Sequence, residues 1–285
     1  MRERNVWGEA MSMSPRLLRP RQTLHPEAAS WAARVVANGG TVSGTTLSAV
    51  DKFCKAIASA GIRDRFFRMG IFAGSNLNAA LVPLYRGPSL GGTQYGGATD
   101  TNVGGLFVSG NYSESGGLVG DGSTKYLKTG LASNQLAGGL TGHASIWRGV
   151  GTVATTRIAI GGSDNDVDDF EIQERPASTV GAWGKTSFTS SSTGGVAGLK
   201  MINRSSSTRL DLYSNGSSIA NSTASVVVAP HANEFYVFGG NRNGTLTLPV
   251  ALPVFAYSLG VSMDATQATA YYNALSAFQT SLSRT

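Results

Sequence analysis

From residue 116 to 262 the chain is cut into short β-type runs by Gly, Ser and Asn, and this punctuation limits the possible folds more than any other feature. The runs are 144–150, 154–160, 168–173, 199–203, 208–213, 225–229, 234–238 and 251–258. Strands recurring about every ten residues between turn residues predict an antiparallel sandwich or jelly roll. Composition agrees. There are 37 glycines, and only 14% of residues are charged, against about 25% in an average soluble domain. Small neutral polar residues therefore cover most of the surface. No internal repeat is visible.

One stretch, Gly116 to Lys125 (GGLVGDGSTK), tests for nucleotide chemistry. Gly117 and Gly122 have the spacing of a phosphate-binding loop. Such a loop needs Lys directly after the last Gly, then the hydroxyl residue that holds magnesium. Here Ser123 and Thr124 precede Lys125, and Tyr126-Leu127-Lys128-Thr129-Gly130 reads as a strand where a helix is required. The stretch is a glycine turn that feeds a strand.

The front of the chain is different. Residues 1–25 carry Arg2, Arg4, Arg16, Arg19 and Arg21 against Glu3 and Glu9, with no strand or helix period. They read as an extended basic arm that contacts neighbouring subunits. Nucleic acid is not favoured as its partner, because no aromatic-interleaved basic stretch accompanies it. Pro26 then opens a helix with Ala28, Trp31, Val35 and Val36, which stops at Asn38-Gly39-Gly40. Thr45 or Thr46 caps a second helix, whose apolar face is Leu47, Val50, Cys54 and Ile57. Phe66 to Phe72 is a dense apolar cluster, and a short third helix follows Asn76. Residues 86–115 read as a Gly/Ser/Thr-rich connector. At the far end Asp264 caps a last helix with Tyr271, Leu275, Phe278 and Leu282 on one face.

Catalytic and metal chemistry finds little support. The single cysteine, Cys54, lies on an apolar helix face and reads as core. No apolar run approaches the ~18 residues of a membrane span, and the basic N-terminus lacks the apolar stretch of a secretory signal. Asp164, Asp166 and Asp168 have the first spacings of a calcium loop. Asp169 stands where an EF-hand needs Gly, and Arg175 where it needs Glu, so only a weaker loop site for calcium stays open. The other reading is a solvated acidic turn. It leads into a strand with Phe170 and Ile172 inward and Asp169, Glu171 and Gln173 outward. Glu171 and Glu174 fall on opposite faces of that strand, which does not make a glycosidase carboxylate pair. Gly87-Pro88-Ser89-Leu90-Gly91 matches a nucleophile-elbow string but sits in a Gly-rich connector. His143 and His231 have no local partner motif and read as solvated polar positions. The chain is expected not to be an enzyme and to need no cofactor. Aromatics and amides near turns offer a sugar-binding chemistry instead. Trp183, Asn215, Asn241 and Asn243 are the candidates carried forward, with Trp147, Tyr213 and Tyr236 read first as packing residues.

Three segments together resemble a known family. Leu118 to Leu127 is similar to the opening strand of laminin-G-like, concanavalin-A-like jelly rolls. Arg209-Leu210-Asp211-Leu212-Tyr213-Ser214-Asn215-Gly216 resembles their "L-Y-V-N-G" hairpin. Phe238-Gly239-Gly240-Asn241, with Val254 to Leu259 and a helix after it, resembles their closing strands. Gly120 stands where the family usually has an apolar residue, and Lys125 where Asp is common, which weakens an inherited calcium site. Residues 31–42, 60–62 and 72–85 resemble a helical leader that precedes the same jelly roll in structural proteins of bacteriophages and prophages.

The reading is α+β, mainly β. A basic arm (1–25), a helical anchoring subdomain (26–85) and a connector (86–115) lead into a concanavalin-A-like jelly roll with a C-terminal helix (116–285). The resemblance implies a virion component. The expected role is tail-fibre or adhesin type: a homo-oligomer held by other virion proteins and presenting a lectin-like sandwich to host-surface glycans. The alternatives are a capsid decoration protein stabilising the head and, disfavoured by the missing carboxylate pair, a glycan-active enzyme.

Overall fold

The structure is a computed structural model that describes residues 23–136, 141–163, 170–183, 186–190, 196–224 and 231–284. The five arm arginines, Asp164, Asp166, Asp168 and the expected strand 225–229 lie outside these residues. The front of the chain folds as α1 (Pro26–Ala37), α2 (Gly44–Ser59), β1 (Phe66–Gly70) and the single turn α3 (Leu77–Ala80). It continues with the short strands β2 (Thr101–Asn102), β3 (Tyr112–Ser113) and β4 (Gly117–Val119). The middle holds β5 (Leu127–Ala132), β6 (Gly142–Arg148), β7 (Arg157–Ser163), β8 (Phe170–Glu174), β9 (Thr179–Trp183), β10 (Thr186–Ser190) and β11 (Gly198–Ser206). The rest is β12 (Arg209–Ser214), β13 (Ser217–Ser222), β14 (Glu234–Val237), β15 (Gly240–Arg242), β16 (Thr245–Thr247), β17 (Pro253–Gly260) and α4 (Ala265–Ser281).

The strands form two sheets. One runs β13-β12-β11-β6-β17-β4-β3, with β1 also paired to β17; the other runs β10-β9-β8-β7-β14-β5-β2, with β15 beside β7 and β16 beside β15. All pairs are antiparallel except β15 with β7. The inner faces meet in one core, which takes Ala144 and Ile146 from β6, Ile202 from β11, Ile160 from β7 and Phe235 and Val237 from β14. The outer face of the first sheet is apolar too. Trp147, Leu199, Met201 and Tyr213 pack under Trp31, Phe53, Phe278 and the other buried residues of α1, α2 and α4. That sheet is thus covered on both faces, while the outer face of the second sheet is not roofed by these helices.

The caps explain where helices start. Asp264 and Gln267 exchange hydrogen bonds with each other's backbone N–H in a capping box. The cap of α2 is Ser43, whose Oγ accepts from Thr46 N; Thr45 and Thr46, the expected caps, both lie inside the helix, and Thr46 donates to Glu114 at 3.0 Å. The apolar cluster after Arg65 is the strand β1, in register with β17 from Phe66↔Gly260 to Gly70↔Tyr257. Residues 86–115 hold more than turns. Their strands β2 and β3 pair with β5 and β4, and their Asp100 is buried against Arg68 of β1 and Tyr257 of β17. Arg68 Nε and Nη2 donate to Asp100 Oδ1 at 3.1 and 2.7 Å, and Tyr257 donates to the same carboxylate at 2.7 Å. Burial works against the Arg68 charge, but Asp100 and Tyr257 outweigh it and raise its pKa. At the C-terminus, buried Arg284 donates to the carbonyls of Glu114, Ile71 and Phe72. No described helix is long and apolar enough to cross a membrane.

Candidate functional site

Alternation along two neighbouring strands builds the site. On β5, Leu127 and Leu131 enter the core, so Lys128, Gly130 and Ala132 face outward. On β14, Phe235 and Val237 point in, leaving Glu234 and Tyr236 outward. The register sets Tyr236 opposite Lys128 and Glu234 opposite Ala132. Together with Asn134, Gln135, Ala232, Asn233, Asn241 and Gly244 these residues line a wide cleft of about 590 Å³ on the outer face of the second sheet. That lies within the ~300–1,000 Å³ range of small-ligand sites.

Tyr236 forms its foot. The ring is buried, 4.6 Å from the Tyr126 ring between centroids, and Lys128 Nζ lies 5.6 Å from its centre. Burial is the main reason its hydroxyl pKa is raised, with Lys128 pulling the other way. The Tyr236 hydroxyl donates to Gly244 O at 3.3 Å. Lys128 Nζ stands 3.7 Å from Glu234 Oε1. Partial burial opposes the ammonium charge, yet Tyr236 and Glu234 prevail and raise the Lys128 pKa. The other Glu234 oxygen accepts from Gly130 N at 2.7 Å. Gly130 has φ +69, and a Cβ there would stand 2.6 Å from Gly96 Cα, so only glycine fits this bend.

Amides form the rim. Asn241 donates to Glu234 O and accepts from Gly244 N, at 2.8 and 2.7 Å. Asn233 donates to Ser163 O and to Asn243 Oδ1, at 2.9 and 3.1 Å. Gln135 Oε1 caps Ala132 N at 2.8 Å, and Asn134 is exposed.

Of the four sugar-binding candidates, Asn241 lines the cleft and Asn243 stands beside it, bonded to Asn233. Asn241 is buried and structural, holding the β15–β16 turn; Asn243 is exposed on that turn at φ 50. Asn215 is on the β12–β13 turn of the other sheet, where its Oδ1 accepts from Leu199 N at 2.9 Å. Trp183 is corrected. It is fully buried, edge-to-face with Phe170 at 4.8 Å, and is a core side chain instead of a surface platform. Lys128, Glu234, Asn134 and Gln135 were not singled out in the sequence. For Lys128 and Glu234 the local signal is the in–out alternation of 127–132 and 234–237; Asn134 and Gln135 sit on the turn after β5 and carry no such signal.

The structure revises other polar positions. His143 and His231 are buried, not solvated. His143 Nε2 is 2.8 Å from Ser258 Oγ and Nδ1 2.8 Å from Val261 O. Burial is the chief force pushing its pKa down, to about 4; the Val261 bond opposes this and Arg65 adds to it. The pair looks like a base beside a hydroxyl, but both residues have no exposed surface. Glu171, expected outward, is buried as well, while Phe170 and Ile172 point into the core as expected. Glu174, on the opposite face from Glu171, meets Arg148 Nη1 at 3.1 Å between the sheets. In the GGLVGDGSTK stretch, Asp121 Oδ1 takes the N–H groups of Ser123, Thr124 and Lys125 at 2.9, 2.8 and 3.0 Å. A side-chain carboxylate thus already occupies the amides a phosphate would need. Among the described residues no cluster of three or more His, Cys, Asp or Glu could hold a metal ion.

Two stacked antiparallel sheets with a C-terminal helix define a concanavalin-A-like jelly roll of the α+β, mainly β class. No protein-family model and no curated protein sequence matches the chain. Solved structures to which it is similar include a mutant of the NanB sialidase from Streptococcus pneumoniae, at 12% identity and a TM-score of 0.40 over 48% of this chain and 24% of that one. The CBM40 of the Ruminococcus gnavus IT-sialidase, solved bound to α2,3-sialyllactose, matches at 13% and 0.37 over 48% of this chain and 89% of that one. Trypanosoma rangeli sialidase in complex with sialic acid matches at 14% and 0.44 over 55% and 27%. The chain spans about a quarter of the sialidases' length. These matches correct one expectation. The sequence reading took the chain not to be an enzyme; the proteins matched include sialidases, which are glycoside hydrolases, and that exclusion does not stand.

Proposed function

We propose that the chain is a glycan-binding protein that uses the cleft on the outer face of its second sheet, and that it serves host attachment as a tail-fibre or adhesin component of a phage particle. The observation that carries the binding reading is the cleft itself. An ion pair and a rim of amides converge on one open face, away from the helices, over the buried Tyr236 ring. Sugars present many hydroxyls, and such a surface supplies both donors and acceptors to them. The attachment role is supported by the resemblance of residues 31–42, 60–62 and 72–85 to phage structural proteins, and places the helical layer on the particle side. The test is an array of bacterial surface glycans probed with the full chain, followed by Lys128→Ala and Gln135→Ala. The proposal expects retention of a subset of glycans and at least a tenfold loss in these variants, about 1.4 kcal/mol. A blank array, or binding that both variants leave intact, contradicts it.

A further inference from the structure

The charge of the cleft points to the kind of glycan it takes. Among the described residues lining it, only Lys128 and Glu234 are charged, and they face each other at 3.7 Å. Each is also held from its own side. Lys128 lies over the Tyr236 ring, and the second Glu234 oxygen takes the Gly130 N–H. Each therefore already has a partner of its own when a charged ligand arrives. An acidic sugar would have to pull Lys128 away from Glu234 and would meet a carboxylate directly beside its binding cation. Like charges at this range repel and suppress the wrong ligand more than they weaken the right one. What remains on offer is uncharged. The Asn134 side chain is exposed, and the Gln135 amide N–H₂ is left over once its oxygen has capped Ala132. These groups pair with hydroxyls and bring no charge to offset that of an acidic sugar.

Resting on the glycan-binding reading above, we infer that the site selects neutral glycans, and that Glu234 is the specificity-determining residue that turns acidic ones away. Glu234 acts by neutralising Lys128. Removing its charge while keeping its shape converts the cleft into one with a free cation.

The experiment compares retention of neutral hexose oligosaccharides with that of uronic-acid-containing and sulfated ones. It uses the full chain and Glu234→Gln, at about 0.05 M and about 0.5 M salt. Gln keeps an oxygen for the Gly130 N–H, so the bend at Gly130 is preserved. The wild type is expected to prefer neutral glycans by tenfold or more, with affinity changing less than about twofold between the two salts. Glu234→Gln is expected to gain acidic-glycan binding by about tenfold, and that gain should vanish at high salt. A wild type that prefers acidic glycans overturns the inference, and so does a Glu234→Gln with an unchanged acidic-to-neutral ratio. Binding to no glycan of either kind instead removes the underlying reading, so the two failures are distinguishable. Circular dichroism of Glu234→Gln checks the fold. If that variant does not fold, Lys128→Gln replaces it, with loss of neutral selectivity overturning the inference.

Discussion

Replacing Asp100 with Asn tests whether residues 86–115 are a strap instead of a linker. Asp100 is buried and accepts from Arg68 Nε, Arg68 Nη2 and the Tyr257 hydroxyl, while Arg68 Nη1 donates onward to the carbonyls of Tyr95 and Gly97. One carboxylate therefore ties the strap to β1 and β17 together. Asn keeps the shape and removes the charge, leaving the Arg68 guanidinium buried and uncompensated. Breaking such a pair from one side costs about 3–5 kcal/mol, out of the ~5–15 kcal/mol that holds a domain together. Tyr257→Phe leaves the ion pair and removes one hydrogen bond to a charged group, so it should cost only ~1.5–3 kcal/mol. Equilibrium urea unfolding followed by tryptophan fluorescence measures both. With m near ~3 kcal/mol/M, Asp100→Asn should lower the midpoint by about 1–1.7 M without changing m. An Asp100→Asn loss below about 1 kcal/mol, or one no larger than that of Tyr257→Phe, would refute the reasoning.

Other consequences follow from burial. The His143 pKa is about 4 in the fold against 6.5 when exposed, so the unfolded chain binds more protons between those values. Stability should be fully present above pH 6.5 and fall by roughly 3 kcal/mol as the pH drops to about 4; His143→Gln should flatten that slope, and an unchanged acid profile would contradict the assignment. Burial pushes the Cys54 thiol up to about 12, so a disulfide reagent at pH 8 should modify it only as the chain unfolds; rapid labelling of the native protein would count against a sealed helical core. Trp183→Ala should cost about 3–5 kcal/mol while leaving glycan affinity unchanged in the folded fraction. Lost affinity with intact stability would restore Trp183 as a binding residue.

The sandwich was legible in the sequence because its turns carry local chemistry. Asn215 and Gly216 both take positive φ, 49 and 79, where a tight turn demands it, and Asp264 announces α4 by its capping box. β1 was not legible as a strand. Phe66 to Gly70 lies in a sheet buried on both faces, so its apolar run shows no alternation and cannot be told from a buried helix segment. The buried state of His143 was hidden because its partners, Ser258 and Val261, are 115 and 118 residues away. The cleft was hidden for the same reason. Lys128 and Glu234 are unremarkable singly, and they become a site only when β5 pairs with β14. Trp183 misled because a Trp before a glycine reads as a turn residue, whereas the β8–β9 pairing turns its ring inward against Phe170.

The central claim is that ligand enters the cleft on the outer face of the second sheet. Ala232 is exposed and lines that cleft, whereas Asn273 is exposed on α4. Calorimetric titration of the full chain with a glycan retained on the array, repeated with Ala232→Trp and Asn273→Trp, tests the claim most directly. The account predicts that Ala232→Trp fills the cleft and weakens binding by at least tenfold, about 1.4 kcal/mol, while Asn273→Trp leaves the affinity unchanged. Equal affinities in all three proteins, or a loss confined to Asn273→Trp, would contradict it.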